Sequence, residues 1–319
     1  MQRILPTMTV VMLVGSLSPH LAGGQKTDID DIGNRKVAHR SIISERKEMA
    51  IGRKYAGQID KAAKLLKDPV VNEYVNRIAQ NVARNSDLKI PLTVKIIDSP
   101  EINAFSLPGG FLYMNSGALE AADDESEIAG VLAHEIAHVA ARHWASEMTR
   151  QTLLQYSMIP LMFVPMTYPV YLGVSSAYNL GVPMAFLRFS REDEAEADYL
   201  GLQYMYKTGY DPNSYVTFFG KVLDEGRKQP GSVAGVFMDH PPTADRIVKS
   251  EEEIKQLFPK QGRYLESTSE FEDVKARLVN LEAKRLPEKN DGPSLERKRP
   301  GVPSPASDGE TSPVLNRMD

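Results

Sequence analysis

The sequence predicts an α+β fold that is predominantly helical, with a small β-sheet beside one buried helix. Three observations carry this. Most apolar residues recur at helical spacing, in segments bounded by capping signals. Apolar–polar alternation, the mark of a half-buried strand, is confined to a short stretch around residues 92–114. The helical segment around Val131–His138 is apolar or small except for two histidines and a glutamate that share one side.

At 319 residues with 42% hydrophobic content, the chain can bury a sizeable core in one large or two small domains. A formal net charge of -4 and a pI near 5.9 exclude the concentrated basic face of a nucleic-acid binder. There is no cysteine, hence no disulfide, catalytic thiol or lipid-modified cysteine, and a metal site must use His, Asp and Glu. Met1-Gln2-Arg3, an apolar run from Ile4 to Leu17 and small residues Ala22-Gly23-Gly24 predict a signal peptide over 1–24, cleaved near Gly24. The alternative is an uncleaved N-terminal membrane anchor facing the periplasm, for which the run is short and interrupted by Pro6.

From Ser41 to Leu66, residues Ile51, Tyr55, Ile59, Ala62 and Leu66 mark the apolar face of an amphipathic helix. Asp68-Pro69 supplies an N-cap and a proline at the first helical position of a second helix, whose inner stripe is Val71, Val75, Ile78 and Val82. Leu92, Val94 and Ile96 alternate with Thr93 and Lys95, as a strand does. Asn103 to Met114 reads as two short strands joined at Pro108-Gly109-Gly110, where glycine permits positive φ. This is either an ordinary hairpin or a strand edge, at Asn103, Ala104 and Phe105, that pairs with an extended peptide.

Asp124 and Glu127 stand at capping-box spacing before the helix with the histidines, which is predicted to run to about Arg150. At about 100° per residue, His134, Glu135 and His138 fall within roughly 100° of arc. Imidazoles one turn apart suit one zinc ion, and the intervening glutamate can act on water without being a ligand. A third histidine soon after the motif is excluded, because Ala141 and Trp144 occupy the positions where Gly and His are needed. On the same arithmetic His143 lies about 180° from His134 and is predicted to be structural.

No charged residue occurs between Arg150 and Arg188, and prolines at 160, 165, 169 and 183 break any long helix there. The 152–187 stretch is either an apolar flap, a surface touching membrane or a partner, or buried core. Ser190 then caps a helix with an acidic first turn. Glu194 and Asp198, one turn apart, can act as a third metal ligand and as a carboxylate orienting another ligand, whereas Glu196 faces elsewhere. Gly209 ends this helix, and Asp211-Pro212 starts one with Tyr215, Phe218, Phe219 and Val222 inward. His240 lies on a proline-rigidified loop ahead of a helix capped by Thr243, and taken alone reads as a surface residue. A short helix over Phe271–Leu281 precedes a Pro-, Ser- and charge-rich tail predicted to be disordered. The expected domains are a signal peptide over 1–24, a catalytic domain over 35–260, a helical extension over 261–285 and a disordered tail over 286–319.

Asn103-Ala104-Phe105 with Pro108-Gly109-Gly110, His134-Glu135-Ile136-Ala137-His138, Ser190-Arg191 with Glu194 and Asp198, and His240-Pro241 with Arg246 follow one another in a specific order. Over roughly Ile42 to Leu257 the chain resembles the zinc metallopeptidases related to HtpX and the CAAX prenyl protease, and above all the soluble BepA-like periplasmic group. The resemblance implies a zincin-like fold with its small sheet beside the motif helix. It implies one Zn²⁺ per chain on His134, His138 and Glu194, Glu135 as catalytic base, and Asp198 and Arg246 behind the ligands. It brings His240 into the cleft, either as a reversible fourth ligand or as a transition-state hydrogen-bond donor. No counterpart of the BepA-like helical-repeat module is found in these residues, so partner assignments do not transfer. The expected function is an exported zinc endopeptidase acting on unfolded or misassembled envelope proteins. An assembly or chaperone-like factor with a structural or latent zinc site is the alternative.

Overall fold

The structure, a computed structural model, describes residues 29–158, 189–228, 240, 242–259 and 262–283. The expected signal peptide, most of the apolar 152–187 stretch and the expected disordered tail lie outside these residues. Among the described residues the chain is mostly helical around one small sheet, as the periodicity predicts.

Helices α1 (Glu45–Ala62) and α2 (Pro69–Arg84) lead into strands β1 (Thr93–Ile97), β2 (Ala104–Leu107) and β3 (Phe111–Asn115). A short α3 (Ser116–Ala121) precedes α4 (Glu125–Ala141) and α5 (His143–Met158). After the undescribed segment come α6 (Arg191–Thr208), α7 (Pro212–Lys228), α8 (Ala244–Leu257) and α9 (Ser269–Ala283). The sheet order is β1-β3-β2, with β1 parallel and β2 antiparallel to β3. Gly109 and Gly110, at φ 79° and 87°, make the β2–β3 turn.

Side-chain alternation gives the sheet two different faces. Leu107 and Tyr113 face α1 with Ala56, while Ala104, Leu112 and Met114 join the main core with α2 and α4. Asp68 Oδ1 accepts from the amides of Val70 and Val71 at 3.1 Å, so the α2 cap forms as the sequence predicts. On α9, Phe271, Val274 and Leu278 are buried in that same core.

Two expectations are corrected. The buried residues of α1 are Glu48, Gly52 and Ala56, and Tyr55 is 44% exposed. The cause is steric: a Cβ on Gly52 would lie 1.6 Å from the Pro108 carbonyl oxygen, so the helix approaches the sheet along a stripe of small residues that hydrophobic periodicity overlooks. Gly52→Ala is therefore expected to destabilise the fold by about 1 to 3 kcal/mol in urea unfolding, despite its better helix propensity. An unchanged or raised midpoint contradicts this packing.

The second correction concerns the motif helix, which ends at Ala141 instead of continuing to Arg150. Arg142 adopts a left-handed conformation with φ 58° and caps it. Its guanidinium compensates for the strain, with Nε donating to Glu48 Oε2 at 2.8 Å and Nη2 to the Ile43 carbonyl at 2.9 Å. From His143 onward the chain is a new helix with a new direction, which changes where His143 points.

Candidate metal centre

Every residue of α4 from Glu125 to Ala141 is buried, held between α2, the β2 edge, α6 and α7. Asp124 Oδ1 accepts from the Glu127 amide at 2.8 Å, and Glu127 Oε2 reaches the Asp123 amide at 2.7 Å, fixing the start of the helix. Three turns on, His134, Glu135 and His138 emerge on one side, each at most 1% exposed. Helix α6 supplies the facing carboxylates. Ser190 and Asp193 form a capping box there, which places Glu194 and Asp198 one turn apart opposite α4.

His134 Nε2 and His138 Nε2 lie 3.1 Å apart. Glu194 approaches both, with Oε2 3.6 Å from His134 Nε2 and Oε1 3.6 Å from His138 Nε2. His240, the expected lone loop residue, is 1% exposed and joins the cluster, its Nδ1 2.6 Å from Glu194 Oε1 and its Nε2 3.6 Å from Glu135 Oε1. One ligating atom from each of His134, His138, Glu194 and His240 falls within 4.8 Å of all the others. Ligands about 2.1 Å from a tetrahedral zinc stand roughly 3.4 Å from one another, so the observed spacings fit that ion. Glu135 is the remaining clue. Both of its carboxylate oxygens are buried without a hydrogen-bond partner, an arrangement costly for a folded chain unless a ligand or substrate group uses them.

Asp198 stands behind the ligands. Its Oδ1 is 3.1 Å from His134 Nδ1, and Arg246 grips both oxygens, Nε to Oδ2 at 2.8 Å and Nη2 to Oδ1 at 2.7 Å. Arg246 Nη1 also lies 2.8 Å from Glu194 Oε2 and donates to the His240 carbonyl at 3.4 Å, so one guanidinium ties α8 and the His240 loop to α6. Tyr215 on α7 adds its hydroxyl, hydrogen-bonded to Asp198 and 3.3 Å from His134 Nδ1. Hydrophobic periodicity placed Tyr215 among core residues, and its polar role has no signal in spacing.

Burial opposes charge on every group here; the neighbours overcome it at Asp198, Glu194 and His134, and burial prevails at His138 and Glu135. For Asp198, Arg246 and His134 overcome burial and hold the carboxyl down at about 2. Glu194 is held well below the usual carboxylate range by His240 and His134. Burial keeps His138 well below the ordinary histidine value, and therefore neutral. Against burial, Asp198 and Glu194 raise His134 to about 9. Burial lifts the Glu135 carboxyl despite the pull of His240 and His134, which brings it toward the range of a general base.

A pH dependence follows. Without a cation, His134 keeps its proton up to about 9, and zinc can take Nε2 only after that proton leaves. Zinc affinity is expected to rise about tenfold per pH unit between roughly pH 6 and 8 and to level off above about 9. Chelator-competition titrations read this directly, and a flat profile over that window contradicts it.

Beside the cluster runs β2, the outer strand of the sheet, with Ala104 and Ser106 buried. Asn115 donates its amide to the Asn103 carbonyl at 2.8 Å, and Phe105 is in register with Tyr113, so the backbones of Asn103 and Phe105 turn toward β3. Those of Ala104 and Ser106 turn outward. Of the three residues expected to hold peptide, Ala104 thus presents backbone groups to the edge, while the Phe105 ring stacks on Tyr113 at 5.3 Å on the far face. Trp144 Nε1 donates to the Ser106 carbonyl at 2.9 Å, which places an indole across the edge one step further on. Neither Ser106 nor Trp144 stood out from the sequence.

Comparison with known proteins agrees with this geometry. Residues 69–254 match the model of Peptidase family M48. The chain is similar to the beta-barrel assembly-enhancing protease of Escherichia coli (strain K12), 28% identical over 290 residues, covering 88% of this chain and 57% of the relative. A putative beta-barrel assembly-enhancing protease of Vibrio cholerae is 30% identical over 265 residues, 81% of this chain and 54% of the relative. The mitochondrial metalloendopeptidase OMA1 of Schizosaccharomyces pombe is 35% identical over 191 residues, 59% of this chain and 54% of the relative. The chain spans little more than half the length of these relatives.

Proposed function

The chain belongs to peptidase family M48, and from that premise we propose that it is an exported zinc-dependent endopeptidase hydrolysing peptide bonds in misfolded or stalled cell-envelope proteins. The observation that carries this reading is the pairing of a four-group ligand cluster with a buried glutamate whose two oxygens have no partner.

In the proposed mechanism His134, His138 and Glu194 would hold the metal, with Asp198, Tyr215 and Arg246 fixing their orientation. When bound, zinc supplies a Lewis acid that polarises a peptide carbonyl and brings the pKa of water toward 7. Glu135 takes a proton from the attacking water and passes it to the departing amine. His240, 3.6 Å from Glu135 through Nε2, would either donate a hydrogen bond to the oxyanion, a contribution of about 3 to 4 kcal/mol in comparable sites, or serve as a reversible fourth ligand. An extended substrate would pair with the outer strand β2 at Asn103, Ala104 and Phe105, with little regard for its sequence, and pairing there requires the buried Ala104 backbone to be uncovered.

Export and an envelope substrate rest on the N-terminal apolar run and on the named relatives, two of which are called beta-barrel assembly-enhancing proteases. No helix of the described residues is long and apolar enough to cross a membrane. Leu153, Leu154 and Tyr156, at 56%, 64% and 63% exposure, open the apolar 152–187 stretch and support a contact there with membrane or substrate.

The test is cleavage of an unfolded polypeptide such as casein: activity lost on chelation and restored by zinc is expected, and cleavage indifferent to chelation overturns the proposal. His240→Ala separates the two roles of that residue. Loss of cleavage with zinc retained assigns it to the transition state, whereas a gain assigns it to a removable fourth ligand.

A further inference from the structure

Behind the metal centre lies a second cluster, His39, His143 and Glu196, whose ligating atoms also fall within 4.8 Å of one another. The two clusters touch through His138. Its Nδ1 is 2.8 Å from His143 Nδ1, so one ring must donate there and the other accept. The far nitrogen of His143, Nε2, is buried without a hydrogen-bond partner and is directed at Glu196 Oε2, 3.6 Å away. Glu196 Oε2 is in turn 2.7 Å from His39 Nε2. The nearby Asp193 Oδ1 is 3.9 Å from His143 Nε2, and that carboxylate is engaged by Arg150 and Ser190.

The direction of these hydrogen bonds follows from the two ends of the chain of groups. Asp198 is a carboxylate and only accepts, so His134 carries a hydrogen on Nδ1. At the other end Glu196 is likewise a carboxylate that only accepts, and His143 Nε2 is directed at it, so His143 carries its hydrogen on Nε2 and offers a lone pair at Nδ1. At the 2.8 Å contact His138 therefore supplies the hydrogen from Nδ1 and donates to His143 Nδ1, which leaves its Nε2 open. The His143 Nε2 hydrogen is aimed at Glu196 Oε2 from 3.6 Å, and that oxygen accepts from His39 Nε2 at 2.7 Å. In the reverse order an N–H of His138 would close the ligand position, and a bare His143 nitrogen would face a carboxylate.

We propose that His143 and Glu196 are positioning residues, a relay ending in His39 that keeps the hydrogen of His138 on Nδ1 and leaves Nε2 open to the metal. The consequence for metal binding rests on the zinc reading above, but the hydrogen order does not. The relay also excludes a second ion at His39, His143 and Glu196 while the first is held. A cation on His143 Nε2 would move the shared hydrogen to His143 Nδ1 and put one on His138 Nε2.

The experiment titrates purified protein with zinc against a chelator and reads imidazole tautomers by long-range ¹H–¹⁵N NMR of the metal-free chain. Wild type is expected to take one equivalent and to show His138 protonated at Nδ1. His143→Phe and Glu196→Ala are each expected to weaken zinc binding about 10- to 100-fold. His143→Asn, whose side-chain carbonyl can still accept from His138, and Glu196→Gln are expected to recover most of that loss. A His143→Phe chain that folds, by circular dichroism, and binds zinc as tightly as wild type overturns the relay. So does a second equivalent of zinc that disappears in Glu196→Ala, or a wild-type His138 protonated at Nε2. Absence of zinc binding in wild type would instead count against the peptidase reading, with the tautomer measurement still deciding the relay.

Discussion

Replacing Glu135 with glutamine is expected to leave zinc bound and to lower peptide cleavage by about 10²- to 10⁴-fold. The variant keeps the shape of the side chain and removes only its capacity to take a proton. None of the ligand contacts runs through Glu135: the 3.1 Å and 3.6 Å spacings belong to His134, His138 and Glu194. Zinc content should therefore stay at the wild-type value while turnover collapses. The same variant separates the peptidase from an assembly factor with a latent site, because only the latter would support envelope assembly equally well without Glu135. Cleavage by Glu135→Gln at the wild-type rate contradicts the assigned base.

Arg246→Met should produce the largest loss of stability. The guanidinium is the shared cation of two buried carboxylates, 2.7 Å from Asp198 Oδ1 and 2.8 Å from Glu194 Oε2. Removing it leaves two buried carboxylates, Asp198 and Glu194, to share the cation on His134. Broken buried pairs of this kind cost about 3 to 5 kcal/mol. Tyr215→Phe should cost less, about 1 to 2 kcal/mol, since Asp198 retains Arg246. Saturating zinc should return part of the Arg246→Met loss, because a cation at Glu194 neutralises one of the exposed charges. Urea unfolding with and without zinc measures all three, and a loss below about 1 kcal/mol in Arg246→Met contradicts this role.

Much of the centre was legible because helices convert sequence spacing into direction. His134, Glu135 and His138 needed only the 100° rotation, and Glu194 with Asp198 needed only the one-turn interval after the Ser190 cap. The caps at Asp68, Asp124, Ser190 and Thr243 all form as their residue types suggest. Reading failed where direction depends on a backbone break or on steric approach. Arg142 takes a left-handed conformation that helix arithmetic does not anticipate in a non-glycine residue, and so His143, expected to point away from the metal, is the neighbour of His138. The Gly52 stripe was missed because periodicity scores hydrophobicity, and what α1 required was absence of volume. Tyr215 and Trp144 carry polar tips on apolar bodies, so burial predicted their place and said nothing of their hydrogen bonds. His240 acquired its position from the resemblance, since a lone loop histidine has no directional signal of its own.

The most direct measurement of the central claim is the metal content of the purified chain beside its cleavage of casein. One zinc per polypeptide is expected in wild type and in Glu135→Gln, with less than about a tenth remaining in a variant carrying both His138→Ala and Glu194→Ala, since two of three protein ligands are then gone. Only wild type should cleave. A double variant that retains its zinc, or a wild-type chain that cleaves with no metal bound, would contradict the account.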